Sequence, residues 1–473
     1  MNGPHVVVVG GGITGLTAAY RLLRSRPDVA VTLVEAAPRL GGKIVTEHVD
    51  GFAVEGGPDS LVTFKPQAVA LARELGLEPR LLPAARATAG TYLSVGGRLR
   101  PMPDGMAGLV PTRLRSLVTT PLLSPWAKLR MAAEPVVPVR RSAGDESLGS
   151  FVTRRLGRGF HDALAEPLAG GIFGADTRDL SLLATMPHLA AAERQHGSLT
   201  RFVRSQRGRA PQGSGVVAPE GGLGELVEVL ASALTGADVR TSTQVTWVEP
   251  AAVGYEVGLD HGGPLAADAV LLAVPAAVVA RTAAALSPEL GELLAGFRQG
   301  STVTVTLGFA RGDLPGRLPG HGYLVPAREG RAARACTWSS VKFPGRAPRG
   351  RALLRVSLGG SGRADTSVLG DEELVGLALE ELRATLAVTA EPVLVRVHRW
   401  EGVMPQYTLG HVDRVARTEE LLSGHDGVVL AGSAFHGAGI ADCVASGERA
   451  AARALAALGS GQPRGVRRPA ASR

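Results

Sequence analysis

Val6-Val7-Val8-Val9-Gly10-Gly11-Gly12-Ile13-Thr14-Gly15 opens the 473-residue chain as an apolar run that enters a glycine turn and leaves it as a helix. Gly10, Gly12 and Gly15 stand at the G-x-G-x-x-G spacing: one for a tight turn, one for close approach of backbone to a pyrophosphate, one for packing helix against strand. Gly11 is an extra. Leu16, Ala19, Tyr20 and Leu23 then recur with helical period, and the amides and dipole at the start of that helix favour an anion. A second apolar run, residues 29–34, ends in Glu35, twenty positions after Gly15. An acidic side chain there accepts from ribose hydroxyls and repels a 2′-phosphate, so the predicted ligand is an adenosine diphosphate without that phosphate. An ordinary strand-turn-helix requires no such combination of strand, spacing, amphipathic helix, second strand and terminal acid. The stretch alone leaves FAD and NAD both open.

A chain of this length accommodates two or three domains with full cores. Its 45% apolar and 20% charged residues, with no long block of one charge, exclude a disordered or fibrous protein. Only four of its 51 basic residues are lysines (Lys43, Lys65, Lys128 and Lys342), a skew that reads as the codon bias of a GC-rich bacterial genome rather than as a nucleic-acid surface. The one dense basic run is residues 464–468 in the tail, while the net charge of +8 suits an anionic substrate. Cys336 and Cys443 are too few for a disulfide framework or a cysteine metal site, so a reducing cytoplasm is expected and no metal is. The apolar N-terminus lacks the basic flank of a signal peptide. The longest apolar run, residues 269–280, is broken by Pro275 and too short to span a bilayer.

Further along, Arg39-Leu40-Gly41-Gly42-Lys43 and Gly56-Gly57-Pro58-Asp59-Ser60 are glycine-doublet loops; in the first, Arg39 or Lys43 would add charge beside phosphate-binding amides. Residues 64–77 have helical period and end at Gly76, and residues 92–99 read as a hairpin about Gly96-Gly97. Residues 106–206 are mostly helical and repeatedly broken by proline, as in an inserted helical subdomain. There Leu114, Leu117, Val118, Leu122, Trp126 and Leu129, among Arg113, Arg115, Lys128 and Arg130, form a basic amphipathic pattern. It fits a membrane or partner surface, or more plainly an internal packing face. A helix over 225–234 and strands at 239–240, 244–248, 255–259 and 269–274 resume the nucleotide-binding sheet, which is therefore assembled from separated segments. Residues 301–309, 335–338 and 352–357 predict a second, mostly antiparallel sheet, completed by a helix over 371–386 and a strand over 393–400. Finally a strand at 428–432, the small-residue loop His436-Gly437-Ala438-Gly439-Ile440 and a helix to about 458 repeat the geometry of the opening turn. A helix end there would stabilise the negative charge of a reduced flavin.

With these residues in place the chain resembles the flavin-containing amine-oxidase superfamily and, within it, the oxygen-dependent protoporphyrinogen and coproporphyrinogen oxidases of haem biosynthesis. The resemblance runs to about residue 458. The wider superfamily shares Gly10 to Gly15, Glu35, the Arg39–Lys43 loop and the C-terminal loop. More specific are Gly57-Pro58-Asp59-Ser60, Glu166-Pro167-Leu168-Ala169-Gly170-Gly171-Ile172-Phe173-Gly174, Leu180-Ser181, Ala335-Cys336-Thr337-Trp338 with Lys342, Met404-Pro405-Gln406-Tyr407, and Gly439-Ile440-Ala441-Asp442-Cys443. Ala441 departs from the proline common in the family. The implied fold is α/β with an α+β second domain: a discontinuous Rossmann-like FAD-binding domain (1–63, 207–275, 400–458), a mixed-sheet substrate domain (64–100, 276–399), an inserted helical domain (101–206) and a disordered tail (459–473).

By position, the resemblance implies that Gly10, Gly11, Gly12, Ile13, Thr14 and Gly15 hold the pyrophosphate, Glu35 and Ala36 the ribose, and Arg39, Gly42 and Lys43 the phosphate region. It assigns Val245 to the adenine, Gly57, Pro58, Asp59, Ser60 and Trp400 to the flavin, and Gly437, Ala438, Gly439 and Ile440 to the isoalloxazine. No cysteine stands near Ala434-Phe435, so the FAD is expected to be non-covalent. The expected partners are a tetrapyrrole substrate and dioxygen, without nucleic acid, and a peripheral membrane or pathway-enzyme contact through the helical domain. Lys65 is the residue expected to pair with a substrate propionate, and Gly171 to face a pyrrole N–H with its carbonyl. His161, His188, His196 and His436 qualify as proton acceptors by residue type alone. Composition and basic balance favour coproporphyrinogen III over protoporphyrinogen IX. The rivals are an amine oxidase, a carotenoid desaturase, and a non-enzymatic prenyl-binding escort protein of the same fold.

Overall fold

Strand His5–Val9 lies at the centre of a five-stranded, wholly parallel sheet, with Ala30–Val34 and Asp238–Arg240 on one side and Ala269–Leu272 and Val428–Leu430 on the other. The structure is a computed structural model describing residues 3–85, 90–103, 106–107, 109–111, 114–142, 144–206, 215–316, 318–360, 362–363 and 365–459. The expected tail beyond Gly459, the basic run 464–468 and Arg113 lie outside the described residues. Strands His5–Val9, Ala30–Val34, Ala269–Leu272 and Val428–Leu430 are mostly apolar because both faces are covered, as parallel sheets require, whereas the edge strand Asp238–Arg240 is polar and largely exposed. Val6, Val8, Leu33 and Leu271 face one core with helices Ile13–Ser25, Gln67–Glu74, Gly224–Ser232 and Ile440–Gly459. Val7, Val9, Val270 and Leu272 face another, built from the antiparallel strands Val245–Pro250, Tyr255–Leu259 and Leu265–Ala267 and helices Ala276–Thr282 and Pro288–Ala295.

This packing redraws the expected borders. Residues 64–83 and 276–298, assigned above to the substrate domain, cover the two faces of the nucleotide-binding sheet. Ala68, Leu71 and Ala72 enter its first core, and Val279, Leu290 and Leu294 its second. Strand Leu81–Pro83 pairs with Val216–Pro219, which in turn pairs with Leu61–Val62. The border drawn at 400 falls inside strand Leu394–Pro405, which belongs to the second sheet along its whole length.

That second sheet has seven strands in the order Leu394–Pro405, Gln299–Ala310, Arg351–Leu358, Ala333–Trp338, Gly322–Leu324, Tyr92–Val95, Arg98–Pro101. It is antiparallel except where Gly322–Leu324 meets Tyr92–Val95, so it is mixed. Helix Asp371–Leu386 packs Leu374, Ala378 and Leu382 against one face.

Among the described residues, 106–206 hold mainly helices, with one short strand pair, Met106–Ala107 and Val110–Pro111, and a core around Phe151, Phe160, Leu164 and Leu189. The basic amphipathic pattern divides there. Leu117 and Leu122 pack inside, while Val118, Trp126 and Leu129 are exposed. The side chains of Leu114 and Arg115 lie outside the described residues. Beneath this layer Glu134 and Arg155 pair with both side chains fully buried. Glu134 also accepts from Ser198 Oγ (2.6 Å), Leu199 N (2.8 Å) and Thr200 N (3.1 Å), tying three segments together. Burial alone would raise the Glu134 pKa, but Ser198, the Leu199 and Thr200 amides and Arg155 override it and hold the carboxyl below its ordinary 4.5. Its contribution to stability is therefore full above about pH 4.5 and is lost as pH falls through the lower folded-state value. Glu134→Ala removes the nearer of the two carboxylates on the buried Arg155 guanidinium, leaving Glu193 at 3.4 Å, and is expected to cost about 3 kcal/mol in chemical denaturation at neutral pH, with a smaller loss in acid.

Candidate functional site

At the opening turn the three glycines take three different roles. Gly10 has φ +104° and donates to the Val34 carbonyl at 2.8 Å, turning the chain out of the strand. A Cβ on Gly15 would lie 1.9 Å from the Gly10 carbonyl oxygen, so only glycine lets helix and strand pack. A Cβ on Gly12 would meet nothing within 4 Å, so the backbone there borders open space. Gly12 is the N-cap of helix Ile13–Ser25 and no side chain caps that end. The first-turn amides of Ile13, Thr14 and Gly15 can thus take an anion. Glu35 is held at the edge of this turn, its carboxylate accepting from Gly11 N at 2.6 Å and Ala37 N at 2.8 Å, with Ala36 exposed between. Thr243 N donates to the Glu35 carbonyl at 3.0 Å, bringing buried Val245 beside the same strand end. Two bonds leave Glu35 further lone pairs for ribose hydroxyls. Open backbone, uncapped helix and fixed carboxylate together fit the adenosine diphosphate half of FAD.

The loop 39–43 joins this turn through backbone: Gly41 N donates to Gly11 O at 2.8 Å, and a Cβ on Gly42 would sit 3.2 Å from Gly12 Cα. The two cations beside it do other work than expected. Arg39 donates to the carbonyls of Leu40, Gly42 and Ile44, bracing its own loop. Lys43 Nζ donates to Val403 O at 2.8 Å and Ser433 Oγ at 3.1 Å, and burial lowers its pKa. Arg39 thus satisfies carbonyls of its own loop, while Lys43 joins that loop to Val403 and Ser433.

The second glycine doublet is pinned from the mixed sheet. Trp400 Nε1 donates to Gly56 O at 2.9 Å, and Arg355 Nη1 to Gly57 O at 2.8 Å. Next to Pro58, Lys342 Nζ reaches Asp59 Oδ1 at 2.8 Å and Ser60 Oγ at 3.1 Å. Burial would raise the Asp59 pKa, yet the charges of Lys342 and Arg355 hold it well below the usual carboxylate range. On the other side, the C-terminal loop hangs on Tyr407, whose hydroxyl donates to Ser433 O (2.6 Å) and accepts from Gly437 N (2.8 Å). His411 stacks on Tyr407 at 4.2 Å; burial pushes it down to about 4, so its neutral ring donates through Nε2 to Phe435 O. The helical insertion clamps the same place, Ser181 N donating to Tyr407 O at 2.7 Å and Leu409 N to Asp179 O at 3.0 Å. Ala438 and Gly439 stay exposed beyond it, and Ile440 starts the C-terminal helix.

Lys65 forms an ion pair with Asp442 at 2.8 Å. Gly171 is exposed in the last turn of helix Glu166–Phe173, which Arg334 fixes by donating to Gly170 O at 3.1 Å. The His188 pKa is lowered by desolvation and then by the charge of Lys65. His161 is bound to Asp162 and Thr177, and His436 to Glu419. His196 stacks at a tilt on Phe202. Tyr407, Ser433, Arg355 and Asp442 are the positions that sequence reasoning left without a role. Tyr407 and Asp442 stood inside quoted motifs, whereas Ser433 and Arg355 carried no local signal. Glu35→Ala is expected to weaken FAD about 10-fold to 100-fold, the worth of hydrogen bonds to a charged group, read by titrating apoprotein with FAD and following flavin absorbance.

The model of the family described as flavin containing amine oxidoreductase matches residues 13–455. A Bacillus subtilis (strain 168) protein named coproporphyrinogen III oxidase is 36% identical over 96% of this chain and 98% of its own. A Bos taurus protein named protoporphyrinogen oxidase is 32% identical over 96% of this chain and 98% of its own. A crystal structure from Exiguobacterium sp. 255-15, provisionally named a protoporphyrinogen oxidase, superposes with a TM-score of 0.85 at 34% identity, covering 97% of this chain and 99% of that one. These similarities set aside the escort-protein alternative. The chain belongs to the flavin containing amine oxidoreductases and is an enzyme that works with FAD.

Proposed function

We propose that this enzyme oxidises coproporphyrinogen III to coproporphyrin III with dioxygen as acceptor, in haem biosynthesis. The carrying observation is near-full-length similarity to several bacterial proteins of that name, at 30% to 36% identity. Bound FAD would supply hydride acceptance and reoxidation by dioxygen, so that three rounds remove the six hydrogens separating porphyrinogen from porphyrin and release three molecules of hydrogen peroxide. The protein's share is to hold the macrocycle, bind its acid groups and keep water away. In this reading the Lys65 ammonium takes a propionate, and the Gly171 carbonyl, near a helix end, accepts from a pyrrole N–H. Gly57 to Ser60, Trp400 and Gly437 to Ile440 enclose the flavin, and Gly10 to Gly15 with Glu35 hold its nucleotide.

Protoporphyrinogen IX is the second reading, favoured by the name of the Bos taurus relative. The two substrates differ in carrying four propionates or two. No helix among the described residues is long and apolar enough to cross a membrane. The exposed Val118, Trp126 and Leu129 suit a peripheral contact with a membrane or a pathway enzyme, within a cytoplasmic location.

Aerobic turnover of both porphyrinogens, followed by porphyrin fluorescence, tests the choice. A higher kcat/KM for coproporphyrinogen III is expected, and a higher value for protoporphyrinogen IX reverses the assignment. Lys65→Ala is expected to lower kcat/KM for coproporphyrinogen III about tenfold, the worth of one charge-assisted contact. Unchanged steady-state parameters remove Lys65 from the site.

A further inference from the structure

Lys65 and Asp442 stand 377 positions apart in the chain, yet the lysine ammonium lies 2.8 Å from both carboxylate oxygens. Asp442 belongs to the first turn of the C-terminal helix, under the loop assigned to the isoalloxazine. The backbone closes down on this side chain. A Cβ on Gly437 would lie 2.5 Å from Asp442 Cγ, and one on Gly439 would lie 3.1 Å from Oδ2. The aspartate is therefore fixed at the flavin loop by packing, and only 22% of its side chain is exposed, against 46% for Lys65.

A half-exposed pair of this kind contributes little to stability, so a staple is a poor account of it. Its effect on Lys65 is larger. A lysine has four rotatable bonds, and holding it in one geometry before a ligand arrives removes an ordering cost from binding. An ammonium has three N–H donors, and two contacts to Asp442 leave one over. Asp442 is the one ion-pair partner that Lys65 has among the described residues. The neighbouring His188, lowered by burial and by Lys65 itself, brings no competing negative charge.

We propose that Asp442 is a positioning residue for substrate recognition: it holds the Lys65 ammonium against the flavin loop so that the remaining N–H receives a carboxylate of the substrate. The residue that shapes the cofactor loop then also decides where the acid arm of the substrate sits relative to the ring. The inference rests on the porphyrinogen reading for the identity of the substrate. The chemistry it recognises is a carboxylate on a flexible arm.

The test uses the FAD-loaded enzyme with Asp442→Asn, which keeps the shape under Gly437 and Gly439 and removes the charge. With coproporphyrinogen III, KM is expected to rise about tenfold and to change more than kcat, the size of one lost charge-assisted contact. With the tetramethyl ester of the same porphyrinogen, which has no free carboxylate, the rise is absent. Lys65→Met breaks the pair from the other side with Asp442 intact and is expected to show the same acid-specific rise. The double variant is expected to be no worse than Lys65→Met alone, as for two residues acting through one contact. Equal losses for acid and ester, or an unchanged KM for the acid, overturn the inference. Should Asp442→Asn fold poorly or lose flavin, Asp442→Ser in the FAD-loaded enzyme decides it by the same acid-to-ester contrast. Wild-type enzyme that turns over neither acid nor ester overturns the porphyrinogen reading and this inference with it.

Discussion

Two parallel strands cannot be joined by a tight turn, and that constraint organises the whole molecule. Strand His5–Val9 finds one neighbour at Ala30–Val34, but its other neighbour is Ala269–Leu272, and the next strand out is Val428–Leu430. Between these returns the chain must leave the sheet and come back. The excursions are the mixed sheet and the helical insertion. Because strands buried on both faces need cover on both, segments that read as parts of the excursions, such as Gln67–Glu74 and Pro288–Ala295, are drawn back as covering helices.

The same constraint creates the site. In parallel sheets the loops at the carboxyl ends of the strands collect on one edge, and the opening turn, Glu35 and the loop after Val428–Leu430 all lie there. The excursions then bring a second layer against it. Trp400 and Arg355 reach from the mixed sheet to the carbonyls of Gly56 and Gly57, and the helical insertion bonds Ser181 to Tyr407. Charges in this layer are settled in pairs. Lys342 with Asp59 and Lys65 with Asp442 each join residues far apart in the chain, and each places a cation where a bare carboxylate would otherwise stand beside the flavin loops. The more deeply set of the two, Lys342 with Asp59, matters less for net stability than for fixing one arrangement among several.

Much of the fold was legible without coordinates, because its signals are local. The opening strand, turn and helix, the hairpin about Gly96-Gly97, the helix Asp371–Leu386 and the closing strand and helix follow from periodicity and turn chemistry over a few residues. Domain borders were less legible. Helix Gln67–Glu74 carries an apolar face that says it is covered but not by what, and strand Leu394–Pro405 gives no sign at residue 400. The site divides in the same way. The turn made by Gly10, Gly12 and Gly15 and the acid at Glu35 lie at set spacing along one stretch and were readable. The glycine loop announced that Arg39 and Lys43 sit beside the turn, but not that Arg39 braces the carbonyls of Leu40 and Gly42 or that Lys43 reaches Val403 and Ser433.

Thus the sequence by itself determined the glycine turn and the acid, Glu35, that disfavours a 2′-phosphate by charge. With the motifs spread along the chain, it also determined kinship with flavin enzymes. These rest on backbone geometry and side chains within about thirty residues of one another. Only the tertiary structure decided which residues meet at the flavin end. Lys65 with Asp442, Lys342 with Asp59 and Tyr407 with Gly437 are contacts between segments 30 to 377 positions apart. No local pattern encodes a partner at that distance. Such pairs exist because the excursions return to a sheet whose strand order is set by burial, and the side chains that come to face one another there must satisfy each other's charge and hydrogen bonds.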